Sequence, residues 1–159
     1  MKINITTPDK LLNGYTNIID VAPNEIPITN TENTVVVAAK HHEVSKLCLE
    51  ADEVVISFPL NAFQASVIPT LLADISKYLK VEGILSFYFS DIRSIAHAIE
   101  TDKITMHETH KAVFGDKIPF NVILDLHIVK KVVKDFGFEV DQLEVDSFIT
   151  SVKVRKVNA

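Results

Sequence analysis

Short β-branched and aromatic runs, separated by segments of helical period, constrain this chain more than any other feature. Residues 34–38 read TVVVA, residues 53–58 EVVISF and residues 84–89 ILSFYF. Each is too short for a stable helix and mostly apolar, as in strands buried within a parallel sheet. Between them lies a clear amphipathic segment. Val67, Ile68, Leu71, Leu72, Ile75, Tyr78 and Leu79 recur at three and four residues and make one apolar stripe. Ser66 is placed to cap this helix, and Pro69 falls in its first turn, where a missing N–H costs little. Pro59 stops the strand before it, and the segment 79–83 (LKVEG) ends the helix.

The rest of the chain continues the alternation. Residues 40–49 place Val44, Leu47 and Cys48 on one face of a short helix. The aromatic run Phe87-Tyr88-Phe89 suits core or strand packing. Asp91 is expected to cap a helix with Ile92, Ile95, Ala96 and Ile99 inward. Residues 102–121 are less regular: Met106, His110, Val113 and Phe114 suit one helical face, while Gly115, Asp116 and Pro119 break it. Asp125 then caps a helix with Leu126, Val129, Val132, Val133 and Phe136 inward and Gly137 at its C′ position. Strands at 138–145 and 148–154 close the chain, joined at Asp146 and Ser147, so the last must run antiparallel to its neighbour. This order predicts an α/β fold in one domain over residues 1–159: a mainly parallel sheet with helices on both faces and an antiparallel C-terminal strand.

The first twenty residues hold the candidate site. They read as a strand (1–5), a polar loop (6–14) and a second strand (15–19) ending on Asp20. In open α/β sheets, small molecules bind outside the carboxyl ends of the strands. A nucleotide-type cofactor is therefore expected over Thr6, Thr7 and Pro8, beside Asp20. Ser57 and Ser90 end strands on the same side, where they could contact a ligand or cap the next element. Such a turn ordinarily uses glycine for close backbone approach, and none occurs before Gly14.

Composition removes several function classes. The net charge is −5 with no run of Lys or Arg, so nucleic acid is not an expected partner. The single Cys48 admits no internal disulfide, the first residues lack a signal-peptide core, and no apolar run reaches the ~18 residues of a membrane span. A soluble, cytoplasmic protein is expected. His107, Glu108 and His110 superficially suggest zinc, but their histidines are three apart, and a solvated helix is the better reading. Adjacent His41 and His42 would diverge on a helix and suit a surface turn.

Several segments, in order, resemble class I S-adenosylmethionine-dependent methyltransferases, most nearly a small type-11-like group. Residues 10–17 (KLLNGYTN) with Asp20 after them are similar to that family's KLLPGYINVD. ADEVVIS at 51–57 looks like its ADEIxAS strand, and LNAF at 60–63 stands where it has LEHF. LKVEGIL at 79–85 resembles LKPGGxL, Phe114-Gly115 resembles part of LFGG, and FGFEV at 136–140 resembles AGFEV. The resemblance implies a Rossmann-like sheet of about seven strands and S-adenosylmethionine as cofactor. It implies cofactor contacts at Asp20, Thr6, Thr7 and Ser57, with the Asp20 carboxylate accepting from ribose hydroxyls. A plain strand-ending role for Asp20 remains the alternative.

The sequence departs from that family where cofactor would bind. Asn4-Ile5-Thr6-Thr7-Pro8 replaces a glycine-rich turn of the NIGCG kind. Ala38, Ala39 and Lys40 stand where an acid commonly meets adenine, and Asn61 and Ala62 replace the Glu-His of LEHF. Two functions are therefore expected: a methyltransferase of unknown acceptor with an altered cofactor turn, or an inactive methyltransferase-fold module for binding or assembly. A small ligand in the cleft, a second copy or a partner protein would each be compatible with either.

Overall fold

The structure, a computed structural model, describes residues 1–6, 10–19, 35–38, 50–116 and 119–158. The strands are β1 (Lys2–Thr6), β2 (Thr16–Ile19), β3 (Val35–Ala38), β4 (Ala51–Ile56), β5 (Leu79–Ser90), β6 (Phe138–Asp146) and β7 (Ile149–Lys156). The helices are α1 (Val67–Tyr78), α2 (Ile92–Glu100), α3 (Met106–Phe114) and α4 (Leu126–Asp135), with a single 3-10 turn at Leu60–Ala62. All seven strands join one sheet in the order β3-β2-β1-β4-β5-β7-β6. β1 to β5 are parallel, and β7 runs antiparallel between β5 and β6. The order reverses between β1 and β4, which makes the carboxyl ends of those two strands the switch point of the sheet.

The apolar stripes explain which surface is covered. Ile68, Leu71, Leu72 and Ile75 of α1 and Val129 and Val133 of α4 form one core with Ile3, Ile5, Val54, Ile56, Leu85, Phe87 and Val154 of the sheet. Register places the opposite side chains in rows. Asn17, Asn4, Val55, Ser86, Lys153 and Gln142 form one row across six strands, and Tyr88, Ser151 and Glu144 belong to the next. The sheet is thus amphipathic, apolar on its first face and largely polar on its second. Both described helices that pack on the sheet core use the first face. Between β1 and β2, residues 10–15 carry no helix. The helix expected over 40–49 lies outside the described residues.

Three local expectations need correction. Ser66 precedes α1 with helical backbone angles and makes no capping hydrogen bond; the Val67 N–H instead donates to the Gln64 carbonyl. Leu79 leaves the helix and starts β5, where a register shift separates the pair Ala51–Leu79 from Glu53–Ile84. In α2, Ala96 and Ile99 face solvent and Ala98 is buried beside Ile95. That helix does not belong to the main core cluster; Ile92 and Ile95 instead line a small cavity with Ala112 and Val113 of α3, Ser90 at the end of β5 and Asn61.

Candidate functional site

Asn4 and Asn17 are polar residues in the middle of short central strands, and both are fully buried. Buried amides demand partners. They find each other and the returning chain. The Asn4 amide donates to the Asn17 side-chain oxygen at 2.7 Å and to the Lys10 carbonyl at 3.1 Å. Asn17 accepts from the Leu12 N–H at 2.9 Å and donates to the Leu12 and Tyr15 carbonyls at 3.1 and 3.2 Å. Gly14, with φ of 78°, turns the chain so that it can enter β2.

Two of the expected cofactor contacts lie beside this amide pair. Thr6 ends β1 almost completely buried, and its hydroxyl donates to the same Lys10 carbonyl at 2.8 Å. Ser57 comes directly after β4; its N–H donates to the Ile5 carbonyl and its hydroxyl to the Asn4 side-chain oxygen. The structure therefore brings Thr6 and Ser57 to the switch point together. Each side chain there bonds to the protein itself, through Lys10 or Asn4. Thr7 and Asp20 lie outside the described residues, as do Pro8, Ala39, Lys40, His41, His42 and Cys48. Asp20 is next in the chain to Ile19, the last residue of β2.

On the far side of the switch point, Lys10 reaches Tyr88. Its amine donates to the tyrosine hydroxyl at 3.0 Å, and that hydroxyl lies 3.4 Å from the Ser57 carbonyl. Sequence reasoning misses this pair, because Lys10 and Tyr88 are remote in the chain and Tyr88 reads as strand packing. The available signal is the alternation of Ser86 and Tyr88 with Leu85, Phe87 and Phe89, which separates two faces. The buried Asn4 and Asn17 are equally legible as polar residues inside apolar strands.

Other candidates resolve into structure. Asn61 is 2% exposed and clamps the end of β5: its oxygen accepts from the Ser90 N–H and its amide donates to the Ser90 and Val122 carbonyls. It lines the small cavity beneath α2 and α3. Glu108 closes a capping box with Thr105, whose backbone and side-chain donors hold its carboxyl below the ordinary value. His110 packs on the Phe114 ring. No group of three or more His, Cys, Asp or Glu among the described residues could hold a metal. At the edge of the second face, Lys2 bonds Glu53 at 2.8 Å and lowers its carboxyl pKa, while burial first, and then Glu53, raises the Tyr15 phenol.

No family model and no curated protein matches the chain. Solved structures do. An O-methyltransferase family protein from Burkholderia thailandensis is 14% identical, with a TM-score of 0.59 over 91% of this chain and 45% of its own. Human N-acetylserotonin methyltransferase, solved with SAM (S-adenosylmethionine), is 14% identical with a TM-score of 0.60 over 91% of this chain and 41% of its own. A chain from the complex of a Haloferax volcanii methyltransferase and its activator is 10% identical, with a TM-score of 0.60 over 90% of this chain and 73% of its own. The chain thus spans less than half the length of the first two. At such identities the likeness is one of architecture, and it agrees with the strand order: the chain has the class I S-adenosylmethionine-dependent methyltransferase fold.

Proposed function

We propose that this chain is a methyltransferase-fold binding module that does not use S-adenosylmethionine. One observation carries the reading: Thr6 and Ser57, the described residues that the resemblance turns towards the cofactor, are bonded to the protein itself. Asn4, Thr6 and Asn17 hold the backbone at Lys10 and Leu12. Ser57 is engaged by Asn4. A cofactor that displaced this arrangement would break hydrogen bonds that are part-buried, and a buried group left unpaired costs about 1–3 kcal/mol. The absence of glycine from Thr6 to Pro8 points the same way, since β-branched and proline residues obstruct close backbone approach. On this reading the residues at the end of β1 do not fit the cofactor, and no methyl transfer is derived through them.

The rival reading, a methyltransferase of unknown acceptor, draws on neighbours solved with SAM or SAH (S-adenosylhomocysteine). It draws also on Asp20, an acid at the position where the resemblance puts a ribose contact. Calorimetric titration with S-adenosylmethionine and S-adenosylhomocysteine separates the two. The expected result is no saturable heat up to about 1 mM, the weak end of specific affinity. Saturable binding that disappears in Asp20→Ala would overturn the proposal and assign the ribose contact.

A further inference from the structure

The loop at 10–12 forms one wall of a groove of about 580 Å³ on the second face of the sheet. Its floor is β4, β5 and β7, and its far wall is Gln142 and Glu144 of β6. Strand register sets its chemistry. Ser86 stands directly opposite Lys153 and Tyr88 opposite Ser151. Since residues two apart on a strand share a face, these four side chains form a square of hydrogen-bond donors. The Lys10 amine joins its Tyr88 corner.

Three of those donors have no internal use. Ser86, Ser151 and Lys153 make no hydrogen bond or ion pair among the described residues, and Lys153 acts on Glu53 only through space. Two acids stand beside them, of which Glu53 is neutralised by a cation and Glu144 keeps its charge. Glu53 is paired with Lys2 in the neighbouring row, and Glu144 accepts from the Gln142 amide at 2.7 Å. Apolar surface completes the groove: Val55 in the floor, the Tyr88 ring beside it, and Leu11 and Leu12 in the wall. A lysine with two hydroxyls recognises a carboxylate or phosphate, and the adjoining Val55–Tyr88 surface accommodates a flat ring.

We propose that this face binds a small aryl anion. The charged group lies against Ser86, Ser151 and Lys153, and the ring extends over Val55 and Tyr88 towards Leu11. The donors for the charged group belong to β5 and β7, while the wall at 10–12 is shared with the β1 end, where Asn4 and Thr6 hold the Lys10 carbonyl.

The test is an amide-resolved NMR titration with phenyl phosphate and benzoate as the two anion sources and benzyl alcohol as the neutral control. Saturable shifts confined to β4, β5, β7 and the 10–12 loop are expected with at least one anion and none with the alcohol. Lys153→Met should weaken binding about tenfold, the scale of one charge-assisted contact. Ser86→Ala gives a second, smaller loss in a protein whose folding does not depend on that charge. Equal shifts with benzyl alcohol would overturn the proposal. So would shifts scattered over lysines of the whole surface, undiminished binding in both variants, or no saturation with either anion by about 10 mM.

Discussion

The side chain of Asn17 makes four hydrogen bonds: its oxygen accepts from the Asn4 amide and the Leu12 N–H, and its amide donates to the Leu12 and Tyr15 carbonyls. Asn17→Ala removes all four contacts and no apolar packing of comparable size. The expected loss is about 2–4 kcal/mol of unfolding free energy, read from urea denaturation. A loss below about 0.5 kcal/mol would show that the 10–12 loop holds its place without the amide. Acid sensitivity belongs to the same scale. Asp52 bonds Lys80 at 2.7 Å and the Met1 amine, which lower its carboxyl pKa from 3.8 to about 2. A depressed folded-state pKa contributes stability that is complete above the ordinary value and lost as pH falls through the folded one. Asp52→Asn should therefore flatten the pH dependence of Tm between about 4 and 2 while leaving its slope near neutrality unchanged. These residue roles are only partly legible in the sequence. Thr6 and Ser57 can be read as strand-end residues, but their partners depend on a loop fold that no local pattern encodes.

At the scale of elements, the helices with a clean 3.6 period are readable, and α1 and α4 bury the stripes their sequences display. Elements shaped by neighbours are not. The bulge opening β5 is the clearest case, because LKVEG contains the glycine of an ordinary helix end. Glu82 sits at φ of 66°, and a Cβ on Gly83 would lie 2.7 Å from the Lys80 carbonyl oxygen and 2.8 Å from the Leu79 side chain. Gly83→Ala is expected to cost roughly 1–3 kcal/mol, as overpacking does, with a fall in Tm as the readout. An unchanged Tm would mean that the bulge can move aside. The turn at Asp146-Ser147 is legible, and Ser147 takes the positive φ of 55° that such a tight link requires.

Over the whole molecule, strand order and direction accord with the alternation of elements, whereas the asymmetry of the sheet is hidden from it. Runs such as EVVISF and ILSFYF look buried on both sides until Ser57, Ser86 and Tyr88 are seen to share a face. A sheet with one apolar core should open from its edges. Amide hydrogen exchange is expected to be slowest in β4, β5 and the inward residues of β7, and fast in β6, an edge strand whose residues are mostly exposed. Uniform protection across all seven strands would contradict this. No helix among the described residues is long and apolar enough to cross a membrane.

Asp91 caps α2 through the Arg93 N–H and also accepts from the Leu126 N–H, while the Ile92 N–H donates to the Leu124 carbonyl. The two ends of the excursion that holds α2 and α3 are thus joined side by side, and the returning chain is also held by Asn61 through the Asn121 and Val122 N–H groups. A segment whose two ends are joined in this way is a cassette. A change of length within it is expected to leave the register of β5 and β7 intact as long as the Asp91, Asn61 and Leu124 contacts are kept.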